Sequence, residues 1–307
     1  MRFHRPWLLA AALLASGGAA AAQELDPRTF SPAPVGTAIV FGGYGRSGGA
    51  FVLDPSLGIE EVEADLGFST AGAAYVFDLG GRQARALAVV PYAWGDVEAE
   101  VGGGPQRQEL SGLADPRFKL TVGLRGAPAL TLEELAQAPR RTALTADLTV
   151  TAPWGDYDEE RLVNLGNHRW AFKPEIGVYR PIGRFTLEAY AGAWFFATNH
   201  DHYPGSSVKR QDPLVAVRGH AGRALRGRAW LSLDATWFSG GRSEVDGVAN
   251  PDRQDNVRLG GTLSLPLGAR QSIKLSYHAG ARTRRGSDYD TVTVTWQAVR
   301  FTREGRP

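Results

Sequence analysis

From Val35 to Phe301 the chain alternates apolar and polar residues in short runs, each separated from the next by a turn-forming or long polar segment. The alternation is plainest in Ala229–Trp237 (AWLSLDATW) and Val257–Leu265 (VRLGGTLSL). Successive strand residues point to opposite faces, so each run has one greasy face and one polar face. Twelve runs follow one another, at 35–44, 65–77, 83–94, 110–125, 141–153, 169–180, 184–198, 212–225, 228–239, 256–266, 271–283 and 289–301. Short links (78–82, 180–184, 225–228, 266–271) alternate with longer polar ones (45–64, 95–109, 154–168, 199–211, 240–255). That rhythm predicts an all-β, antiparallel transmembrane barrel of twelve strands with short periplasmic turns and long external loops.

The N-terminus supports an outer-membrane destination. Arg2, His4 and Arg5 form a basic start, Trp7–Leu14 an apolar core, and Ala20–Ala22 a small-residue cleavage site, so residues 1–22 read as a signal peptide. No later stretch approaches the roughly 20 apolar residues of a spanning helix. A chain that lives in lipid without such helices must close a sheet on itself. Residues 23–34 carry Pro27, Pro32 and Pro34, cannot continue a sheet, and are expected to form a periplasmic tail or a plug folded into the barrel base. Residues 35–301 are then the barrel and 302–307 a short C-terminal tail.

Composition narrows the choices further. The chain holds 38 glycines, suited to turns and close strand approach, and 13 Phe, 9 Tyr and 8 Trp, suited to interfacial girdles. It has no cysteine, which excludes disulfides and thiolate metal sites. Without Arg2 and Arg5 the basic and acidic residues balance at 32 each, giving no footprint for nucleic acid. No cofactor motif is present, and none is expected.

Charge is distributed unevenly between the two ends. Arg82, Arg85, Arg140, Arg141, Arg180, Arg184, Arg226 and Arg228 sit at the short turns, whereas Glu60, Glu61, Glu63, Asp96, Glu98, Glu100, Asp156, Asp158, Glu159 and Glu160 sit in the long loops. Such charges are commonly just solvated, although an acidic rim also attracts cations. One periplasmic link is long. Residues 126–140 contain Thr131-Leu-Glu-Glu134, a capping box that predicts a short helix ended by Pro139.

With the apolar register turned to lipid, the inward register holds the candidate functional residues. They are Arg117, Lys119, Arg125, Asp147, Lys173, Glu175, Glu188, Tyr190, Trp194, Arg218, His220, Asp234, Arg258, Lys274 and His278. Opposite charges on neighbouring strands would pair across the interior, giving either a narrow charge-laced pore or a salt-bridged, closed lumen. Inward rings (Tyr190, Trp194, Phe196, Trp230, Phe238) would hold an apolar or aromatic solute, or support the loops.

Catalysis is the weaker reading. His168, His200, His202, His220 and His278 are available, with Ser232, Ser264 and Ser276 in inward registers, but no segment forms a recognisable nucleophile–base signature. Asn199-His-Asp-His202 alone is too short a cluster to complete a metal site.

Several stretches resemble a family of outer-membrane transporters labelled for the meta-cleavage pathway of phenol degradation. They are Glu24–Gly36, Ser111–Arg117, Ala152–Tyr157, Asn164–Gly177 and Leu263–Gly268, the fourth being the most specific. The resemblance implies a barrel in outer-membrane lipid that passes small, aromatic or hydrophobic molecules; it supplies no binding residues. Barrels of this kind end on an aromatic residue read by the barrel-insertion machinery. Phe301 fits that role, with six residues following it. A closed structural or surface-interaction barrel is the alternative, and an outer-membrane lipid hydrolase a more remote one.

Overall fold

The computed structural model describes residues 27–28, 30–51, 62–101, 104–161, 163–283 and 288–301. The expected signal peptide, the C-terminal tail, Glu60 and Glu61 lie outside the described residues.

The elements run β1 (Thr37–Phe51), β2 (Val62–Leu79), β3 (Arg82–Val101), β4 (Gly104–Leu113), β5 (Arg117–Arg125), α1 (Leu132–Gln137), β6 (Ala143–Thr151), β7 (Ala171–Ile182) and β8 (Phe185–Phe196). Then come β9 (Asn199–His202), β10 (Ser207–Gln211), β11 (Leu214–Ala224), β12 (Trp230–Gly240), β13 (Ser243–Val245), β14 (Val248–Ala249), β15 (Gln254–Pro266), β16 (Gln271–Arg282) and β17 (Asp288–Phe301). The main sheet is antiparallel and closes on itself, because β3 pairs back to β2 and β1 pairs with β17. β4 and β5 share one stave beside β3, so the wall has twelve staves, as the alternation predicts.

The period-2 pattern explains which face is which. Along β12, Trp230, Ser232, Asp234, Thr236 and Phe238 are buried while Leu231, Leu233, Ala235 and Trp237 are exposed. An apolar outer face with a polar inner one is the reverse of a water-soluble sheet protein, and it fits hydrocarbon outside. Leu233 is 68% exposed and Phe185 50%, values that make sense only against lipid.

Three features depart from the sequence reading. β1, β2 and β3 run further outward than their apolar runs, so most of 95–109 is hairpin rather than loop. The fourth run breaks at Ala114–Asp115–Pro116, where Pro116 has no N–H to give the ladder. The links at 199–211 and 240–255 fold into a second sheet, ordered β14-β13-β10-β9, outside the barrel. Periodicity misses these strands because, at two to five residues each, they are too short to show a repeat.

At the base, α1 begins with the expected capping box: the Glu134 N–H donates to Thr131 Oγ1, and the Thr131 N–H to Glu134 Oε2 at 2.8 Å. The chain before β1 enters the same end. Val35 N donates to Leu130 O and Gly36 N to Val76 O, and Phe30 packs with Ala127, Ala143 and Tyr179.

Candidate functional site

The barrel interior divides into two parts of different chemistry. From β5 round to β16 it is charged. Glu175 on β7 accepts from Arg218 Nη2 at 3.0 Å and lies 3.1 Å from Lys173 Nζ and 3.5 Å from Lys119 Nζ. Lys119 also reaches Asp147 at 3.5 Å, and the Thr121 and Thr145 hydroxyls donate to the same carboxylate. Lower down, Asp234 on β12 receives Ser232 Oγ, Thr262 Oγ1 at 3.1 Å and His220 Nδ1 at 2.8 Å, with His278 Nε2 at 3.7 Å. Tyr190 donates to Glu188 at 2.9 Å and lies beneath the Arg218 guanidinium, 4.8 Å from its carbon.

This part is packed. Lys173 is 1% exposed, and Glu175 and Arg218 are each 3% exposed, so water does not line it as it would an open pore. Charges so placed must be matched, because an unpaired buried ion is costly. Glycine makes the packing possible: a Cβ on Gly177 would stand 2.5 Å from Tyr190 Cδ1, and one on Gly260 would overlap the His278 imidazole.

The other part, from β17 through β1 and β2 to β3 above Arg85, presents no charged side chain inward among the described residues. Register and burial place Thr293, Thr295 and Gln297 of β17, Phe41 of β1, Phe68 and Thr70 of β2, and Leu87 and Val89 of β3 on the inner face, all half-buried. Phe41 and Phe68 lie flat against the wall because each faces a glycine across the ladder. A Cβ on Gly72 would overlap the Phe41 ring, and one on Gly45 the Phe68 ring. The uncharged wall is thus half-buried rather than sealed, and Lys274 of β16, paired across from Thr295, is half-buried at its edge.

The sequence-derived candidates are distributed as follows. Lys119, Asp147, Lys173, Glu175 and Arg218 meet in one belt, and Glu188, Tyr190, His220, Asp234 and His278 in a second below it. Trp194 stacks on Phe196 beside Lys173, whose Nζ is 5.1 Å from the indole. Arg258 stands apart, its guanidinium over Tyr289 at 3.8 Å and donating to Tyr289 O. Lys274 reaches toward Trp230 at 6.0 Å, and Arg117 is half-buried at the top of β5. Arg125 does not join them: a register shift after Gly123 leaves it exposed at the base.

Sequence reasoning missed Phe41 and Phe68. The available signal was a glycine directly across from each ring, a pairing by which aromatics cover strand glycines. Of the serine and histidine candidates, Ser232 and His220 both bond the same Asp234 carboxylate oxygen, Ser232 as donor.

Comparison with known proteins agrees with this architecture. A family profile described as "Putative MetA-pathway of phenol degradation" matches residues 44–296. The chain belongs to this family. An outer membrane channel from Pseudomonas putida F1 matches with a TM-score of 0.73 at 18% identity, covering 90% of this chain and 100% of that one. The transport unit of the autotransporter AIDA-I from Escherichia coli matches with a TM-score of 0.50 at 10% identity, over 92% of this chain and 94% of that one. The β domain of the Bordetella autotransporter BrkA has a TM-score of 0.50 at 13% identity, over 86% and 99%. These likenesses establish an outer-membrane β-barrel fold. No curated protein matches the sequence.

Three of the stretches by which the sequence resembles this family meet at the break between β4 and β5. Asp115, 5% exposed, accepts from Gly155 N at 3.0 Å, Asn167 N at 2.8 Å and Asn167 Nδ2 at 2.9 Å. Asp156 Oδ2 takes the Leu113 N–H at 2.7 Å, in place of a strand carbonyl. Gly155 and Gly166 allow the close approach; a Cβ on Gly166 would lie 2.8 Å from Gly155 O. Behind this junction Arg169 stacks over Phe196 at 4.8 Å, and burial lowers its pKa to about 10. The family-like segments thus close the wall where the ladder stops.

Proposed function

We propose that this barrel is an outer-membrane channel for small uncharged molecules, aromatic and other apolar ones among them. The observation that carries the reading is the two-sided lumen. Its charged part is packed against itself, whereas the accessible part offers rings, aliphatic side chains and hydroxyls. Apolar surface gains by leaving water for such a lining, and the threonine hydroxyls serve a single polar substituent. The wall from β17 to β3 itself offers an ion no charged partner among the described residues above Arg85. The family's link to phenol degradation supports the same solute class, and the Pseudomonas putida structure, an outer membrane channel, supports the channel role.

The reading treats the protein as a conduit rather than an enzyme, in keeping with the engagement of Ser232 by Asp234. Phe301, paired with Thr37 where the barrel closes, serves as the aromatic signal for the insertion machinery.

The test is uptake of labelled phenol and labelled benzoate by Gram-negative cells expressing the barrel, at concentrations where the outer membrane limits entry. Phenol uptake should rise several-fold over cells without the barrel, with little change for benzoate. Equal stimulation of both, or of neither, would overturn the assignment.

A further inference from the structure

The outer surface of the barrel treats its arginines differently at its two ends. At the long-loop end three are matched by a carboxylate on the neighbouring strand. Arg46 of β1 meets Asp65 of β2 at 3.0 Å, Arg107 of β4 meets Asp96 of β3 at 2.9 Å, and Arg282 of β16 meets Asp255 of β15 at 3.2 Å. At the short-turn end, Arg228 donates to Ala269 O at 2.8 Å and to Gly268 O, and Arg140 donates to Gly183 O at 3.3 Å. These two close turns.

Arg180 and Arg223 do neither. Arg180 follows Ile176 and Val178 in the outward register of β7, and Arg223 follows Val217 and Ala221 in that of β11. Both are exposed. Among the described residues neither makes a hydrogen bond or an ion pair, and the Arg223 guanidinium lies over the Phe185 ring at 5.6 Å. β8 runs between their strands, with Leu187 opposite Arg180 and Phe185 opposite Arg223. The two strands are therefore about 10 Å apart, two ladder spacings, and side chains this long can converge over β8.

The surroundings are apolar and outward-facing: Phe185 is 50% exposed, Ile182 48%, Leu187 44% and Leu231 43%. The carboxylates near this end stand elsewhere. Asp78 accepts from Gly81 N in the β2–β3 turn, Glu133 and Glu134 lie on α1, and Glu188 faces inward to Tyr190.

We infer that Arg180 and Arg223 form a binding site for the phosphate of an anionic phospholipid in the periplasmic leaflet, with Phe185 and Leu187 against its acyl chains. Depth selects the occupant. Outward side chains along these strands meet hydrocarbon, so cations near the strand ends sit at headgroup level. A phosphodiester there supplies the anion that Asp65, Asp96 and Asp255 supply at the other end, and a guanidinium fork bonds two of its oxygens at once. A zwitterionic headgroup brings its own ammonium to the phosphate, whereas phosphatidylglycerol leaves its charge to the protein. The site lies outside the lumen, so it holds whatever solute passes within.

The test uses full-length mature barrel folded in detergent micelles, titrated with phosphatidylglycerol or phosphatidylethanolamine, with retained lipid counted by native mass spectrometry. The unaltered barrel should retain phosphatidylglycerol several-fold better. Arg180→Gln with Arg223→Gln should abolish the preference, and Arg180→Lys with Arg223→Lys, which keeps both charges, should preserve most of it. Arg107→Gln, at the paired end, should leave it unchanged. Heat-modified gel mobility shows that each form is folded. A preference that survives in the glutamine pair, or is absent from the unaltered barrel, would overturn the site. Displacement of the lipid by excess inorganic phosphate would overturn the lipid assignment in favour of free phosphate. A lipid-free dimer that the glutamine pair dissolves would assign the surface to a second copy of the chain instead.

Discussion

The two parts of the lumen are built from the same twelve-stave ladder, yet they solve opposite problems. The side from β5 to β16 carries the interior charge and admits almost no water at its belts; the side from β17 to β3 carries none above Arg85 among the described residues and is only half-buried. A polar residue in the inward register is thus not automatically a pore-lining residue. Three cations around Glu175 are arranged to satisfy their shared carboxylate, and in doing so they fill the space they surround. Accessibility is left to the side where small and neutral residues cannot fill it.

The largest effect expected from breaking this contrast is at Glu175. Glu175→Ala leaves Lys119, Lys173 and Arg218 without their shared partner, and should cost about 3–5 kcal/mol in reversible denaturant unfolding of the folded barrel. A smaller penalty belongs to the accessible side. Gly72→Ala forces Phe41 off the wall and should cost roughly 1–3 kcal/mol, as overpacking does; phenol uptake should fall along with it. Unchanged uptake would remove Phe41 from the path.

Thr295→Glu should alter stability least, by less than about 0.5 kcal/mol, since it is away from the buried networks. It places a fixed charge on the accessible side, so the reversal potential in a salt gradient should shift toward cation selectivity. Lys119→Met provides the paired control: a change on the packed side should leave selectivity unmoved. If Lys119 shifts selectivity and Thr295 does not, the two sides have been assigned the wrong way round.

Much of this architecture was legible in the residues. Period-2 alternation marks every stave, as in Trp230–Phe238, because one face must meet lipid and the other cannot. The capping box at Thr131 announces α1 because it satisfies the first N–H groups of a helix locally. The break at Asp115 was not legible: its carboxylate matters through Gly155 and Asn167, forty and more positions away, and nothing in the local pattern names those partners. Arg125 was misplaced for a related reason, since a single register shift reverses the face of every residue after it.

The barrel, its stave number and the split between lipid-facing and inward residues are thus properties of the sequence alone, because they follow from the geometry of an extended chain. Which inward residues are sealed and which are open is a property of the closed sheet. That outcome depends on which staves face one another and on the glycines that let Phe41 and Phe68 lie flat. Each of these is a relation between residues distant along the chain, and it comes into being only when β1 meets β17.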